Sequence, residues 1–382
     1  MENELKRSID RVFIHENSRA TELTRRSIDY FGEEKIQYVN EKPFGDSIGR
    51  MSATQYDRSK KNLFITRFEG AFFKQCPGAQ AVACCNYFVL NLGQQCNMNC
   101  SYCYLQSYLN SPLLALYSNI DDALEELRRM GESSGGHPVR VGTGEVMDSL
   151  SLDELSLYSV KLIEFFRTLP NWRLEFKTKS ARVDQFLDTP HGQNVIVSWS
   201  INPGYIVARE EHGTAPLAQR LAAARRCLDK GFKIAFHMDP LIWHPEWKEN
   251  YAGLVDEITS KFEPEEIPHI SMGALRFQPD QRHMMRERFG MSSLVLQGEM
   301  FLSRDGKYRY DQEMRNQMFN FVIERFREKD SRWRVWLCME SPESWVSAYQ
   351  AMPRQIPELE KLFRPLPKPV PIGQELKTGG LR

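Results

Sequence analysis

The chain has 382 residues, with 50 Lys or Arg against 50 Asp or Glu, 41% hydrophobic and 11% aromatic residues. That apolar content supports a sizeable core and excludes wholesale disorder. The zero formal net charge excludes a histone-like polycation, though not a local basic groove.

Two or three domains, or one large α/β barrel with extensions, suit this length. There are eight cysteines: Cys76, Cys84, Cys85, Cys96, Cys100, Cys103, Cys227 and Cys338. An even count invites disulfides. The opening MENELKRSIDRVFIHENSRA, however, lacks the apolar h-region of a secretion signal, and no run approaches the ~18 apolar residues of a membrane span. The expectation is a cytoplasmic protein with reduced thiols and no membrane partner.

Residues 1–80 are expected to form an N-terminal α/β extension. DRVFIHE and KIQYVNE would be short strands around a helix at Ala20–Phe31, and KKNLFITRF a third strand. Over residues 81–290 strand and helix signals alternate. The strands are NYFVLNL (with Cys84 and Cys85 adjacent at its start), VRVGTGE, LEFKTKS, VIVSWSIN, KIAFHMDP and HISMGALRF. The helices include DDALEELRRM and SLDELSLYSVKLIEFFRTL, the latter capped by Ser151 with Glu154 three residues on. ARVDQFLD, APLAQRLAAARRCLDKG with Gly231 as its stop, EWKENYAGLVDEITSKF and DQRHMMRERFG follow.

Six strand-then-helix units predict an α/β fold with a parallel sheet, a partial (β/α)6 barrel. In a barrel of this kind chemistry sits at the C-terminal strand ends, which marks Asn91, Thr143, Glu145, Lys179, Ser200, Asn202 and Asp239. Each could equally be a cap or turn former.

Residues 291–350 form a separate C-terminal hairpin and helix region. FLSRDGKYRY would turn at Asp305-Gly306, followed by the helix DQEMRNQMFNFVIERFREK and the strand RVWLCME. Arg276 to Arg334 holds 13 Lys or Arg against 9 Asp or Glu. This local excess suits either a solvated face or a groove for DNA. Residues 351–382 read as an extended or disordered Pro/Gly-rich tail.

The most specific signal is Cys96-Asn-Met-Asn-Cys100-Ser-Tyr-Cys103, a C-x3-C-x2-C loop just past the first barrel strand. Soft thiolates select iron–sulfur, zinc or copper(I). Zinc normally wants a nearby fourth ligand. Three thiolates suit three corners of a 4Fe–4S cubane and leave one iron open.

This loop on a six-unit α/β barrel resembles the radical S-adenosylmethionine superfamily, and C-x3-C-x-Y-C-Y-L-Q resembles the spore photoproduct lyase family within it. LEFKTKS, VSWSINP and DPLIWHPEWKENY, with His244 and Trp247, extend the resemblance, as does RVFIHE…KNLFITRF; it covers most of residues 10–345. The resemblance implies a 4Fe–4S cluster on Cys96, Cys100 and Cys103. It implies S-adenosyl-L-methionine held by Thr143, Gly144, Glu145, Lys179, Ser200, Asn202 and Asp239, with Tyr102 and Tyr104 contacting the cofactor and relaying hydrogen. The implied activity is carbon–carbon lyase repair of UV-induced thymine lesions in DNA by a 5′-deoxyadenosyl radical, fed by a flavodoxin- or ferredoxin-type reductant. A lesion inside a duplex must be extruded to reach the barrel mouth.

The chain departs from that family at one position. The lyases carry a hydrogen-donating cysteine after the second strand; registering VGTGEVMDSLSLD on Asp148 puts Glu145 at or near it. Cys338 is then the candidate donor, with Cys84 and Cys85 as others, although all three also suit buried small hydrophobes. Cys76, Cys84 and Cys85 could also ligate a second cluster. Two other functions remain in play: a radical enzyme acting on another nucleotide, RNA or peptide, and a non-catalytic iron–sulfur electron-transfer or sensor protein.

Overall fold

A computed structural model describes residues 4–44, 51–76, 78, 82–83, 85–357 and 359–360. Its main sheet has eight strands whose spatial order is their chain order: β1 (Phe73–Gln75), β2 (Tyr87–Leu90), β3 (Val139–Gly142), β4 (Trp172–Thr178), β5 (Val195–Ser200), β6 (Lys233–Leu241), β7 (Ile270–Ala274) and β8 (Val335–Leu337). Strands β2 to β8 are parallel, and β1 pairs antiparallel with β2 as an edge. Every residue of β5 and of β7 is buried, as in a parallel sheet covered on both faces. Crossover helices such as Leu217–Asp229 and Trp247–Thr259 supply the cover, and Gly231 turns the chain after the first of these at φ +88°.

The six expected barrel strands are present, and β8 adds a seventh parallel one. RVWLCME was expected in a separate C-terminal region; instead it pairs with β7 from Ile270↔Val335 to Met272↔Leu337. The strand ends at Leu337, so Cys338 lies one residue past it. The hairpin forms as expected, from Met300–Leu302 and Tyr308–Tyr310. It is rooted at the end of β7, because Arg276–Phe277 pairs with its second arm.

The N-terminal sheet runs in the order Ile36–Val39, Arg11–His15, Asn62–Thr66, Leu114–Tyr117 and Gly93–Gln94. Its last two strands come from the segment around the cysteine loop. The two sheets therefore do not divide at residue 80, and the extension is stitched to the barrel on either side of Cys96–Cys103.

Three local expectations are corrected. The helix placed over SLDELSLYSVKLIEFFRTL is two helices, Asp153–Ser156 and Tyr158–Phe166, broken at Leu157 (φ +50°). Ser151 does not cap it: Asp148 accepts the amides of Leu150 and Ser151, while the Asp153 carboxylate takes the Ser159 amide at 2.9 Å and restarts the helix. Glu154 turns instead to Tyr30 and Arg182. ARVDQFLD forms turns rather than a helix, since the Ser180 carbonyl accepts the Trp199 indole N–H (2.9 Å) in place of a helical amide. Cys85 precedes β2 rather than lying on it, because Asn86 at φ +53° breaks the extended backbone; Cys84 and, of the tail, residues 358 and 361–382 lie outside the described residues.

Candidate radical-enzyme active site

Side chains alternate across a strand, so alternate residues of each barrel strand share its inner face. One inward layer is polar and acts as a floor. Glu175 (β4) lies 2.8 Å from His237 Nε2 (β6) and 3.5 Å from Arg140 (β3); His237 Nδ1 lies 2.5 Å from Ser271 Oγ (β7). Burial would raise the Glu175 carboxyl, but His237 and Arg140 outweigh it and hold it well below the usual range.

Two residues further along the same strands come Gly142, Lys177, Ser200, Asp239 and Gly273, and beyond β8 comes Cys338. Asp239 and Arg276 form a two-pronged ion pair at 2.9 and 3.1 Å. Gly273 makes room for them: a Cβ there would sit 2.9 Å from Arg276 Nη1, 3.0 Å from the Cys338 carbonyl oxygen and 3.2 Å from Asp239 Oδ1. Burial, with Asp239 and Cys85 nearby, pushes the Cys338 thiol up to about 12, so it keeps its S–H.

The cysteine loop follows β2 and is laced to distant elements. Asn99–Cys100 pairs antiparallel with Glu211–His212. Ser101 N donates to the Glu210 carbonyl at 2.8 Å, and Gln281 Nε2 donates to the carbonyls of Tyr102 and Cys103 at 3.1 and 3.2 Å. Arg288 binds Gln106, Asn99 and Asp57. Cys96 and Cys100 are buried and Cys103 half-buried; burial raises the Cys96 thiol to about 12 and Cys100 higher. Among the described residues no three His, Cys, Asp or Glu converge as the ligands of one metal ion would.

Beside the loop, Tyr102 donates its hydroxyl to Glu211, which also accepts from Asn202 Nδ2 (2.9 Å) and pairs with Arg220 (2.6 Å). Lys179 Nζ lies over the Tyr102 ring, 5.6 Å from its centre. Burial alone would lower the Lys179 ammonium, but Glu211 and Cys100 reverse the direction and keep it charged. Sequence reasoning did not find Glu211, Arg220, Gln281 or Arg288: each is an ordinary polar residue on a helix or a two-residue strand, and only tertiary pairing makes it part of the site.

The other expected site residues separate into two groups. Tyr104 donates to the Glu145 carbonyl, and Thr143 Oγ1 donates to Ser149 Oγ at 2.8 Å. Gly144 passes close over β4, where a Cβ would be 2.9 Å from Lys177 Cβ. Asn202 and Asp239 are instead committed inside the protein, to Glu211 with Tyr251 and to Arg276. His244 and Trp247 are buried and structural: His244 contacts Ile242 O and Asn250, and Trp247 meets Phe321.

Among the buried polar atoms that lack hydrogen-bond partners are Asn97 Oδ1 on the cysteine loop and, past the ends of the neighbouring strands β2 and β3, Asn91 Oδ1 and Glu145 Oε2. Buried polar groups are nearly always satisfied, so an orphan on the loop that carries three soft thiols, with two more at adjacent strand ends, fits a bound polar group and an iron–sulfur centre.

Most of the basic excess is paired. Arg309 and Arg315 share the buried Glu340, Arg325 and Lys329 hold Asp256, and Arg332 holds Asp330 and Glu265. Arg282, Arg286 and Arg304 remain exposed, as do Phe301 (54%) and Leu302 (64%) on the hairpin.

A curled, mostly parallel half-barrel sheet with a three-cysteine loop past its first parallel strand defines a radical S-adenosylmethionine enzyme. Residues 13–330 match the family described as spore photoproduct lyase. The chain belongs to that family, whose members are 4Fe–4S enzymes of DNA repair. It is 26% identical over 264 residues to the spore photoproduct lyase of Geobacillus sp. (strain Y412MC61), covering 68% of this chain and 75% of that one. It is likewise 26% identical over 265 residues to the enzyme of Bacillus subtilis (strain 168), with the same two shares. A solved spore photoproduct lyase variant with bound AdoMet and dinucleoside spore photoproduct has the same fold. Its TM-score is 0.76 at 23% identity, covering 87% of this chain and 98% of that one. No helix among the described residues is long and apolar enough to cross a membrane.

Lys179→Ala is expected to weaken S-adenosylmethionine binding at least tenfold with iron content unchanged, because the ammonium and its Glu211 partner line the loop. Equilibrium binding to the reconstituted protein measures this; unchanged affinity removes Lys179 from the cofactor site.

Proposed function

We propose that this chain repairs a UV-induced thymine lesion in DNA, taking up the lesion at the mouth of the barrel. The observation that carries the reading is the three-cysteine loop past the first parallel strand, with the Lys179 ammonium over the ring of Tyr102 between its second and third thiols. Cys96, Cys100 and Cys103 hold the cluster. Thr143, Gly144, Glu145, Lys179 and Ser200 face the S-adenosylmethionine, with Asn202 acting through Glu211 and Asp239 through Arg276. When bound, that pair supplies a carbon radical able to take a hydrogen atom from a C–H bond.

The protein's own work is positioning. Tyr102, tied to Glu211, walls the cofactor side, and Tyr104 is the second phenol able to pass a hydrogen atom. The hairpin is rooted at the C-terminal end of β7, with Lys307 near Asp239 and Arg276 and with Phe301 and Leu302 exposed. Apolar side chains of this kind can wedge into an unstacked base step, and a damaged step costs less to open. Exposed Arg282, Arg286 and Arg304 suit phosphates, and binding through them falls steeply with salt. A flavodoxin- or ferredoxin-type carrier supplies the electron, and the reading places the enzyme in the cytoplasm.

Glu145 cannot give a hydrogen atom, so the donor moves to Cys338. It follows the inner-face register of Trp336, keeps its S–H, and adjoins Asp239 and Arg276. Its S–H breaks as a C–H forms on the thymine radical, leaving the unpaired electron on sulfur. The test supplies UV-irradiated dry DNA or a synthetic dinucleotide lesion with S-adenosylmethionine and dithionite. Thymine release supports the reading, and cofactor cleavage without lesion loss sinks it. Cys338→Ala is expected to cut thymine yield more than tenfold while cofactor cleavage continues; wild-type yield would return the donor role to another thiol.

A further inference from the structure

Lys60 follows the helix Ala53–Ser59 of the N-terminal extension and is the residue at that helix's C-terminal cap. It is 8% exposed, and its ammonium points into the cysteine loop. Nζ donates to the Met98 carbonyl at 2.5 Å and lies 3.5 Å from Asn99 Oδ1, both between Cys96 and Cys100. It also lies 5.8 Å from the centre of the Tyr56 ring. Among the described residues no carboxylate is within ion-pair distance; the nearby Asp57 is held by Arg288.

A buried ammonium with only neutral acceptors is costly unless a negative group lies close. The groups close enough to supply that charge are the thiols of Cys103, Cys96 and Cys100, which become negative only when they bind metal. Once three thiolates bind iron, the loop carries the counter-charge that Lys60 lacks. The helix is firmly placed for this: Ser52 and Gln55 form a reciprocal capping box at its start, and Tyr56 accepts a hydrogen bond from Gln95, next to Cys96.

We propose that Lys60 is a positioning residue for the iron–sulfur centre: a buried cation from the N-terminal extension that clamps the cysteine loop through the Met98 carbonyl and sets the centre's reduction potential. A positive charge beside a cluster favours its reduced form, because the added electron is stabilised across a low-dielectric interior. Removing the charge moves the potential negative and makes the first electron harder to deliver. The inference rests on the cluster assignment above, so wild-type protein is reconstituted in parallel; if it takes up no iron, the cluster reading fails rather than the role of Lys60.

The experiment is an EPR-monitored redox titration of reconstituted wild-type, Lys60→Gln and Lys60→Arg protein without S-adenosylmethionine. Gln can still donate to the Met98 carbonyl but carries no charge. For Lys60→Gln the reduced-to-oxidised ratio at a fixed potential is expected to fall at least tenfold, a negative shift of about 59 mV or more for one electron. Lys60→Arg should titrate close to wild type. If Lys60→Gln loses iron while Lys60→Arg keeps it, the charge is needed to hold the loop and the proposal stands. An unshifted midpoint in iron-loaded Lys60→Gln overturns it, as does equal iron loss in both variants. If circular dichroism shows Lys60→Gln unfolded, Lys60→Met, which keeps the apolar stem buried, takes its place with the same expected shift.

Discussion

Cys100→Ala is expected to abolish the iron–sulfur centre, giving protein without the brown colour and with iron reduced to background after anaerobic reconstitution. Cys100 is the middle thiol of the three-cysteine loop, and its backbone is fixed by pairing with Glu211. Its neighbours cannot stand in: Met98 and Asn99 carry no thiolate, and Cys227 is buried on the helix Leu217–Asp229. Because the substitution removes one small buried side chain, the fold should persist, and circular dichroism separates lost iron from lost structure. Iron and colour retained at wild-type levels would mean that the ligands are other residues. Cofactor cleavage should vanish with the iron.

The second large effect is expected at Glu211. Its side chain is fully enclosed, as is that of Arg220, and it joins Tyr102, Asn202, Arg220 and Lys179. Glu211→Ala strands a buried guanidinium and removes the counter-charge of Lys179. Breaking a buried ion pair from one side costs about 3–5 kcal/mol. Urea unfolding of the apoprotein measures it, and a loss under about 1 kcal/mol, the range of an exposed pair, would show that water reaches the cluster of charges. Acid should mimic the substitution. Burial would raise the Glu211 carboxyl, but Arg220 and Lys179 pull it below its ordinary value. The stability it contributes is therefore present above the usual carboxylate range and lost as pH falls through the lowered one.

The strands and most helices were legible in the sequence because each has its own periodicity; NYFVLNL, VIVSWSIN and the Ala-rich helix before Gly231 announce themselves within a dozen residues. The cysteine loop was legible because its spacing is local. What pairs across the chain was not. Ser151 and Glu154 have the spacing of a capping box, but Asp148, Tyr30 and Arg182 compete for the same groups and win. RVWLCME carries no sign of which sheet it joins. Lys60 and Glu211 look like surface charges until the fold brings them to the loop, 38 and 109 residues away in sequence by their bonds to Met98 and Tyr102.

The lacing of the cysteine loop also bears on how the enzyme is made. Lys60 precedes the loop, but Glu211, Gln281 and Arg288 all follow it, and Arg288 is 185 residues beyond Cys103. At about 5–20 residues per second of synthesis, the three thiols leave the ribosome roughly 10–40 s before their last cover arrives. During that interval they are open to iron delivery and equally to oxidation. The order of the chain thus gives maturation a window, and oxygen exposure during translation should reduce iron content far more than the same exposure after the protein is complete.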